Sequence, residues 1–411
     1  MQKEFFTHET PVFASTREDA LSQLEAFVPF AGRYGRDRNH VVHGHTNVSR
    51  LSPAIRHRIL LESECANAPL RRYAASTVEK FTQEVYWRRY WKSWLSLRPQ
   101  VWTQYLNELN AIQNDLNMEA IRDRAVRCTS GKGPIAIMNH FARELVETGY
   151  LHNHARMWFA GWWIHIERLP WQLGADFFLR HLLDGDPASN TLSWRWVAGL
   201  QTPGKTYLPR RSNLEKYLPP DILATHHQGL ELLENPQALI LPAEERPAIT
   251  RPKLPLSPPL LDERVGIWIH EEDLFIEQSP LTSLCPTAII ATCDVSTWSR
   301  LRYPEIKTKW LRSAINDGAK RAGNAFSIEA EISVDSPITN ALVNWASENQ
   351  LQQIAAMRPE VGPLHDQLDS IQAALSDAGI QLILFDRPED LSLRTLATGG
   401  FFAFWEKMRG N

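Results

Sequence analysis

The feature that most constrains the fold is a change in hydrophobic periodicity across one proline-rich run. The run begins at Leu241 and reads LPAEERPAITRPKLPLSPPLLDERV, with neither helical nor strand period. Proline and charge at this density predict a stiffened linker. Apolar residues recur almost entirely at helical spacing before the run, and short apolar runs alternate with helical stretches after it. We therefore predict a helical domain of residues 1–240, a linker of residues 241–263 and a second domain of residues 264–411.

Start and stop signals support helices in the first part. A cap-like Thr16 with acidic neighbours precedes the apolar Leu24 and Phe27. Apolar residues between positions 137 and 145 recur at helical spacing, and Gly149 follows them as a helix end. The first domain is therefore predicted to be all-α.

The second part has the pattern of a smaller α/β domain. Short apolar runs at Val265–Ile269, Ala288–Thr292 and Ile380–Phe385 alternate with helical stretches at Lys307–Asp317 and Leu364–Ala378. Such alternation favours a doubly wound parallel sheet with helices on both faces. No GxGxxG motif follows these runs, so they give no sign of a conventional dinucleotide site.

Charge is distributed unevenly along the 411 residues. Residues 1–255 carry 31 Lys+Arg and 26 Asp+Glu, a balance of +5. The remainder carries 13 and 21, a balance of −8, which gives the net charge of −3. A basic first part is compatible with a polyanionic partner that contacts this part alone.

Cysteine usage and hydropathy bear on the compartment. No apolar run reaches membrane-spanning length, and the start MQKEFFTHET lacks a signal-peptide pattern. Cys65, Cys128, Cys285 and Cys293 form no CxxC pair. We expect reduced, separate thiols, no metal site, and a cytoplasmic protein that does not associate with membranes.

The densest group of chemically useful residues lies between positions 149 and 196. In GYLHNHARMWFAGWWIH, Asn153 and Met157 are four residues apart and share one face of a predicted helix, with Arg156 beside Asn153. In LLDGDPASNTLSWRW, Asp184 and Asp186 precede a predicted helix. Capping of that helix is the alternative role for the two aspartates.

Two earlier segments have a structural and a functional interpretation each. In NVSRLSPAIRHRIL, Ser52 followed by Pro53 predicts a hydroxyl-capped helix start, whose free N–H groups suit a phosphate. An ordinary capped helix is the alternative. In FTQEVYWRRYWKSW, Glu84, Trp87 and Arg88 form a helical stripe that continues to Trp91. An aromatic core face with a solvated Arg–Glu pair is the alternative there.

These segments together resemble the DNA photolyase and cryptochrome family. The second domain resembles the family's α/β domain more faintly, through VGIWIHEEDLFIEQSPL and ATGGFFAFWEKM. That domain usually comes first in the family, so the resemblance implies a reversed domain order. It also implies an all-α FAD-binding domain followed by the α/β domain.

The resemblance implies FAD as the cofactor and assigns its contacts residue by residue. The phosphate segment departs from the family pattern at Val48, where a threonine is usual. The aspartate usually found ten residues after the arginine is replaced by Ile166, with Glu167 next to it, so the partner of Arg156 is open. The implied cofactor-binding residues are Tyr34, Ser49, Arg50, Leu51, Ser52, Arg88, Asn153, Arg156, Asp184, Asp186 and Asn190.

The implied activity is light-driven repair of cyclobutane pyrimidine dimers in damaged DNA by a monomeric deoxyribodipyrimidine photolyase. The implied catalytic residues are Glu84, which stabilises the dimer radical anion by donating a proton or hydrogen bond, and Asn153, which polarises the substrate. Trp87, Met157 and Trp196 hold the substrate. The alternative is a cryptochrome-like blue-light photoreceptor that signals through a partner. A flavin-binding remnant without photochemistry is a third possibility.

Tryptophan usage adds an electron-relay expectation. Ten of the fifteen tryptophans lie in residues 1–255. By resemblance, Trp194 is the relay member next to the flavin and Trp171 is the second. The outermost member has no counterpart in residues 110–129, and Trp158, Trp162 or Trp163 are candidates for that place. Core filling is the alternative role for each tryptophan.

Overall fold

A computed structural model describes residues 13–202, 205–242, 244–250 and 264–410 of the chain. The first part is helical, as predicted. Its α-helices are α1 Arg17–Phe27, α2 Tyr34–Asp37, α3 Ser52–Arg56, α4 Glu62–Asn67, α5 Ala75–Ser96, α6 Gln100–Asn114, α7 Glu119–Thr129, α8 Ala136–Thr148, α9 Asn153–Gly161, α10 Trp171–His181, α11 Pro187–Val197, α12 Arg211–Tyr217 and α13 Pro220–Thr225. A π-helical turn, Trp162–Ile166, continues α9.

The local signals at two helix ends act as predicted. Thr16 caps α1 and accepts from the backbone N–H of Asp19. Gly149 follows α8 in the left-handed region, with φ of 70°. A Cβ at that position would lie 2.7 Å from the Leu183 side chain, so glycine is required for both backbone and packing reasons.

The second part contains a five-stranded parallel sheet of order β3-β2-β1-β4-β5. Its strands are β1 Val265–Ile269, β2 Ala288–Thr292, β3 Ala330–Ser333, β4 Gln353–Met357 and β5 Gln381–Phe385. Its α-helices are α14 Val295–Arg300, α15 Glu305–Phe326, α16 Ile338–Glu348, α17 Leu368–Asp377, α18 Pro388–Leu396 and α19 Phe401–Gly410. The predicted fold class is confirmed, and so is the position of three strands.

Helices cover both faces of the sheet, which explains the apolar runs. Ile267 and Ile269 pack in a core with Leu311 of α15, whereas Trp268 packs on the opposite face with Leu342 of α16. The sequence prediction missed strands β3 and β4. None of the four residues of β3 is buried. Without two buried faces, a strand lacks a continuous apolar run. Strand β4 is buried but reads QIAAM, in which glutamine and small alanines replace the bulky apolar residues typical of a strand.

The two parts meet through buried ion pairs rather than through apolar contact alone. Arg56 of α3 binds Glu272, in the loop after β1, with two bonds of 2.7 and 2.6 Å. Arg58 contacts Asp390 of α18 at 2.8 Å. Lys307 of α15 donates to the backbone oxygen of Leu179 in α10. The loops at the carboxyl end of the sheet therefore face the helical part.

The predicted linker lies largely outside the described residues, since 243 and 251–263 are not among them. Its described part contacts the helical part: Glu244 pairs with Arg195 at 2.6 Å, and Thr250 donates to Leu97. The boundaries 1–240, 241–263 and 264–411 stay predictions. Among the described residues, none of the helices has the length and apolar character to cross a membrane.

Candidate functional site

One cavity of about 640 Å³ brings together nearly all the residues singled out in the sequence. It lies between α2, the start of α3, α5, α9 and α11. The predicted site residues on its wall are Tyr34, Ser49, Arg50, Leu51, Ser52, Glu84, Trp87, Arg88, Asn153, Arg156, Met157, Asp184, Asp186, Asn190, Trp194 and Trp196. Trp171 is the predicted residue that lies outside this wall.

The deep end of the cavity is charged and buried. We call this charged region the inner wall. It consists of Arg88, Arg156, Asp184 and Asp186, which line the cavity, and of Arg56 and Lys92, which contact Asp186 but do not line the cavity themselves. Arg156 binds Asp184 through two bonds of 3.1 and 3.0 Å. Burial raises the pKa of Asp184, but Arg156, Arg88 and a hydrogen bond from Ser52 outweigh it, so the net pKa is lowered. Asp184 is therefore an anion at neutral pH.

Asp186 has two roles at once. Its side chain accepts from the backbone N–H of Ser189 and caps α11. It also lies 2.9 Å from Lys92 Nζ and 3.5 Å from Arg56 Nε. Burial raises its pKa, and the cations Lys92, Arg56 and Arg88 hold that pKa far below its usual range. Asp186 therefore has the capping role that the sequence offered as the alternative, and it has ion pairs in addition.

Arg156 finds its partner in Asp184, which resolves the question raised by Ile166. Glu167 serves elsewhere: it accepts a hydrogen bond from Trp162 Nε1 at 3.1 Å. A buried guanidinium without a partner would cost several kcal/mol. The loop of residues 182–186 removes that cost because it brings a carboxylate to the face of α9.

The predicted helix start at Ser52 is confirmed, but its hydroxyl cap is wrong. Ser52 is the first residue of α3, Leu51 occupies the cap position, and no side chain caps the helix. The Ser52 hydroxyl instead helps to lower the pKa of the buried Asp184 carboxylate. Arg50 just before it has a positive φ of 55°.

Asn190 and Tyr34 are held in place by buried surroundings. The Asn190 amide donates to the backbone oxygen of Ala175 at 2.8 Å, which sets the orientation of its side chain. Burial raises the pKa of Tyr34 well above its usual value, with Glu84 adding to the effect, so its hydroxyl stays neutral. Both groups can present fixed hydrogen-bonding atoms to a ligand.

The outer end of the cavity is aromatic and partly exposed. We call it the mouth and define it as Glu84, Trp87, Asn153, Met157, Trp196 and Phe402. Asn153 is exposed, whereas Glu84, Trp87, Met157 and Trp196 are half-buried. Glu84 pairs with Arg38 at 2.9 Å and with Lys80 at 3.5 Å. One face of Trp87 is stacked on Phe401, with ring centroids 3.9 Å apart.

The two predicted relay tryptophans have different neighbours. The Trp194 ring lies at 5.1 Å from Phe178 and at 6.3 Å from Trp163. Trp171 is stacked on Tyr105 at 5.4 Å. The described ring contacts therefore place Trp163 beside Trp194, and the predicted order with Trp171 second stays a prediction.

Sequence reasoning missed three residues of the site. Lys92 and Arg56 carry most of the positive charge around Asp186, and Glu272 accepts from Arg56. A signal existed for Lys92, which is one helical turn after Arg88 in α5. Glu272 had a weaker signal, because an acidic run directly after a buried strand is unusual.

Comparison with known proteins shows what this site is similar to. A family model described as the FAD binding domain of DNA photolyase matches residues 81–217. The match covers less than half of the chain and makes residues 81–217 similar to that FAD-binding domain. FAD is therefore its cofactor, as the sequence resemblance implied. The reversed domain order relative to the family stays a prediction.

Curated relatives include both photolyases and cryptochromes. A deoxyribodipyrimidine photo-lyase of Streptomyces griseus is 30% identical over 155 residues, which are 38% of this chain and 32% of that protein. A cryptochrome DASH of Idiomarina loihiensis is 34% identical over 94 residues, 23% of this chain and 20% of that protein. The chain thus spans about a third or less of the length of these relatives.

Two solved structures are similar at low identity. A bacterial class III photolyase from Agrobacterium tumefaciens has 24% identity and a TM-score of 0.41, over 49% of this chain and 42% of that one. A cryptochrome from Synechocystis sp. PCC6803 has 21% identity and a TM-score of 0.43, over 57% and 48%. Similarity at this level says nothing about activity.

The chemistry of the FAD-binding domain fits its cofactor. A volume of about 640 Å³ lies within the usual range of about 300–1,000 Å³ for ligand pockets. The Ser189 hydroxyl and the Trp194 indole N–H are buried, belong to wall residues, and have no hydrogen-bond partner within the described part of the chain. Unpaired buried polar atoms of this kind are satisfied when a polar ligand is bound.

Proposed function

We propose that this protein repairs cyclobutane pyrimidine dimers in DNA by light-driven electron transfer. The observation that carries the proposal is the mouth of the cavity. A photolyase-family FAD-binding domain opens there onto the half-buried Trp87, Met157 and Trp196 and the exposed Asn153. A site that only retained FAD would have no need of a partly exposed aromatic surface next to it.

When bound and reduced, FAD supplies an electron after absorbing blue or near-UV light and regains it once the cyclobutane ring has split. Arg88, Arg156, Asp184 and Asp186, which line the cavity, would hold the cofactor through fixed charges. Asn190, held by its bond to Ala175, would offer its amide as a hydrogen-bonding group. Trp194 is buried at the wall and is the oxidisable ring that can restore the reduced state.

Residues of the mouth bind the dimer. An aromatic side chain that stacks on a base contributes about 1–3 kcal/mol, and a dimer is easier to flip out because it already distorts the duplex. Glu84 is paired with Arg38 and Lys80, so hydrogen-bond donation to the dimer requires this pair to rearrange. Asn153 can polarise a pyrimidine carbonyl without such a rearrangement, because it is exposed.

We further propose that the protein acts as a cytoplasmic monomer on damaged DNA. Cys65, Cys128 and Cys293 are buried free thiols, and Cys285 is an exposed one, which suits a reducing compartment. The positive balance of residues 1–255 supports contact with a phosphate backbone.

The decisive experiment illuminates FAD-loaded, reduced protein with an oligonucleotide that contains one thymine dimer. Repair is measured as recovery of absorbance at the thymine band. We expect repair by the wild type, a lower quantum yield for Glu84→Ala, and bound FAD in both. Glu147→Ala is the control, since Glu147 is an exposed carboxylate of the helical part that lies outside the cavity wall. Intact dimers after illumination of the wild type would favour the photoreceptor alternative, which the cryptochrome relatives keep open.

A further inference from the structure

The mouth of the cavity is not made by the helical part alone. Helix α19, the last helix of the chain, reaches it from the second part. Phe401 lies almost parallel to Trp87, with 11° between the ring planes and 3.9 Å between centroids. The turn before α19 is bound to α5 by Tyr90, whose hydroxyl donates to Gly399. The position of α19 at the mouth is therefore fixed by contacts to the FAD-binding domain.

A second set of contacts fixes both ends of this arrangement. Arg98 donates to the backbone oxygens of Ala397 and Thr398 at 3.2 and 3.0 Å. At the other end of α19, Arg409 pairs with Glu79 at 2.6 Å. A helix tied to α5 at its start and its end presents its residues to the cavity in one orientation.

Phe402 stands out among the aromatic residues of α19. Phe401, Phe404 and Trp405 are buried, whereas Phe402 is 61% exposed. Phe402 nevertheless lines the cavity, at its open end. Its ring contacts Phe401 edge-on at 5.6 Å, so the Trp87–Phe401 stack continues outward to Phe402. The exposed ring thus extends the aromatic surface of the mouth toward solvent.

The surroundings of Phe402 suit a nucleobase. Trp196 offers a second half-buried ring on the wall, Asn153 and Ser193 are exposed polar groups, and Lys80 is a partly exposed cation. Stacking rings combined with cations and amide groups are what single-stranded nucleic acids bind, since every base has a π-face and every linkage a negative charge. A single exposed phenylalanine elsewhere on a surface would have no such meaning.

We propose that Phe402 is a nucleobase-stacking residue of the DNA-binding surface, supplied by the last helix of the second part. Its occupant is a base next to the dimer that enters the cavity. The inference rests on the proposed function. It also departs from the expectation that a polyanionic partner contacts the first part alone, because a residue beyond position 400 completes the binding surface.

The test measures dark binding of the full-length, FAD-loaded protein to a single-stranded oligonucleotide with one thymine dimer and 2-aminopurine beside it. We expect Phe402→Ala to raise Kd by about 5- to 150-fold, the range that corresponds to loss of one stacked base, and to weaken quenching of 2-aminopurine. Phe402→Trp should restore both. Phe30→Ala is the matched control, because Phe30 is also exposed and lies outside the cavity wall. Flavin absorbance should be the same in all variants.

The outcomes separate this inference from the proposed function. If the wild type prefers the dimer and Phe402→Ala binds equally well, Phe402 has no role and repair still stands. If Phe402→Ala weakens binding to damaged and undamaged strands alike, and the wild type shows no preference for the dimer, base stacking stands and repair fails. Equal losses in Phe30→Ala and Phe402→Ala would overturn the inference, as would a wild type that binds no DNA.

Discussion

The inner wall and the mouth of the cavity are built on opposite physical principles. At the inner wall, Asp184 and Asp186 are buried among four cations, and each charge needs its partners because water is excluded. At the mouth, Trp87, Met157 and Trp196 keep part of their surface in contact with solvent. A buried ion network tolerates little change, whereas a half-exposed aromatic surface can lose one member and remain folded. Mutations in the two regions should therefore have different signatures.

The largest effect is expected from Asp186→Ala. The substitution removes the cap of α11 and leaves the buried Lys92 and Arg56 with Glu272 as their shared partner. Breaking a buried ion pair costs about 3–5 kcal/mol. We expect the free energy of unfolding to fall by that amount in urea titrations, and flavin absorbance to be lost. Asp221→Ala is the control, since this carboxylate is exposed. If Asp186→Ala keeps its bound FAD and its normal stability, the inner wall does not differ from the mouth in its tolerance of mutation.

An effect of about 3 kcal/mol is expected from Glu272→Gln, with a defined pH dependence. Burial raises the pKa of Glu272, but Arg56 and Lys92 lower it from 4.5 to about 2. A lowered pKa stabilises the fold above the unfolded value, and this contribution is lost as pH falls from about 4.5 to about 2. The shift corresponds to about 3 kcal/mol.

The measurement is the free energy of unfolding as a function of pH, for the wild type and for Glu272→Gln. The wild type should be the more stable one above about pH 4.5, and the two curves should converge near pH 2. Loss of FAD at neutral pH in Glu272→Gln would show that the second part helps to hold the cofactor through Arg56. Parallel curves at all pH values would mean that Glu272 is not ionised in the folded protein.

A smaller effect is expected at the mouth from Trp196→Ala. Trp196 is stacked on Tyr207 at 6.0 Å and is half-buried, so the fold should lose little stability. Dimer binding should weaken by about 1–3 kcal/mol, as measured by fluorescence anisotropy, while bound FAD is retained. If FAD is lost together with dimer binding, the mouth and the wall form one cooperative unit.

The smallest effect on stability and affinity is expected from the relay variants, which change photoreduction instead. Trp194→Phe preserves most of the packing but removes the oxidisable ring, so photoreduction should slow sharply with FAD still bound. Trp163→Phe should slow it more than Trp171→Phe, because Trp163 is the ring at 6.3 Å from Trp194. Trp268→Phe, in β1, is the control. A larger effect of Trp171→Phe would restore the order predicted from the sequence.

Prediction from sequence succeeded where a local rule decided the structure. Gly149 ends α8 because a left-handed residue is needed there, and the strands β1 and β2 are buried on both faces and so are apolar without interruption. Strand β3 failed this test because none of its four residues is buried, and β4 failed it because glutamine and alanine weaken its apolar pattern. Ser52 begins α3 as the local rule predicts, but no side chain caps that helix, and the Ser52 hydroxyl helps to lower the pKa of Asp184 instead.

The sequence by itself determined the helical part and the parallel sheet, since spacing along a helix or a strand is a local property. The resemblance of its motifs to a known family indicated most of the residues that line the cavity. Only the tertiary structure decided which charges are partners. Asp184 takes the place beside Arg156 that residues 166 and 167 left open, and Glu272 reaches Arg56 from 216 residues away along the chain. It also decided that α19 completes the mouth with Phe401 and Phe402. Such pairings depend on how the two parts are packed together. Sequence periodicity reports only on neighbours within one helix or strand, so it cannot predict them.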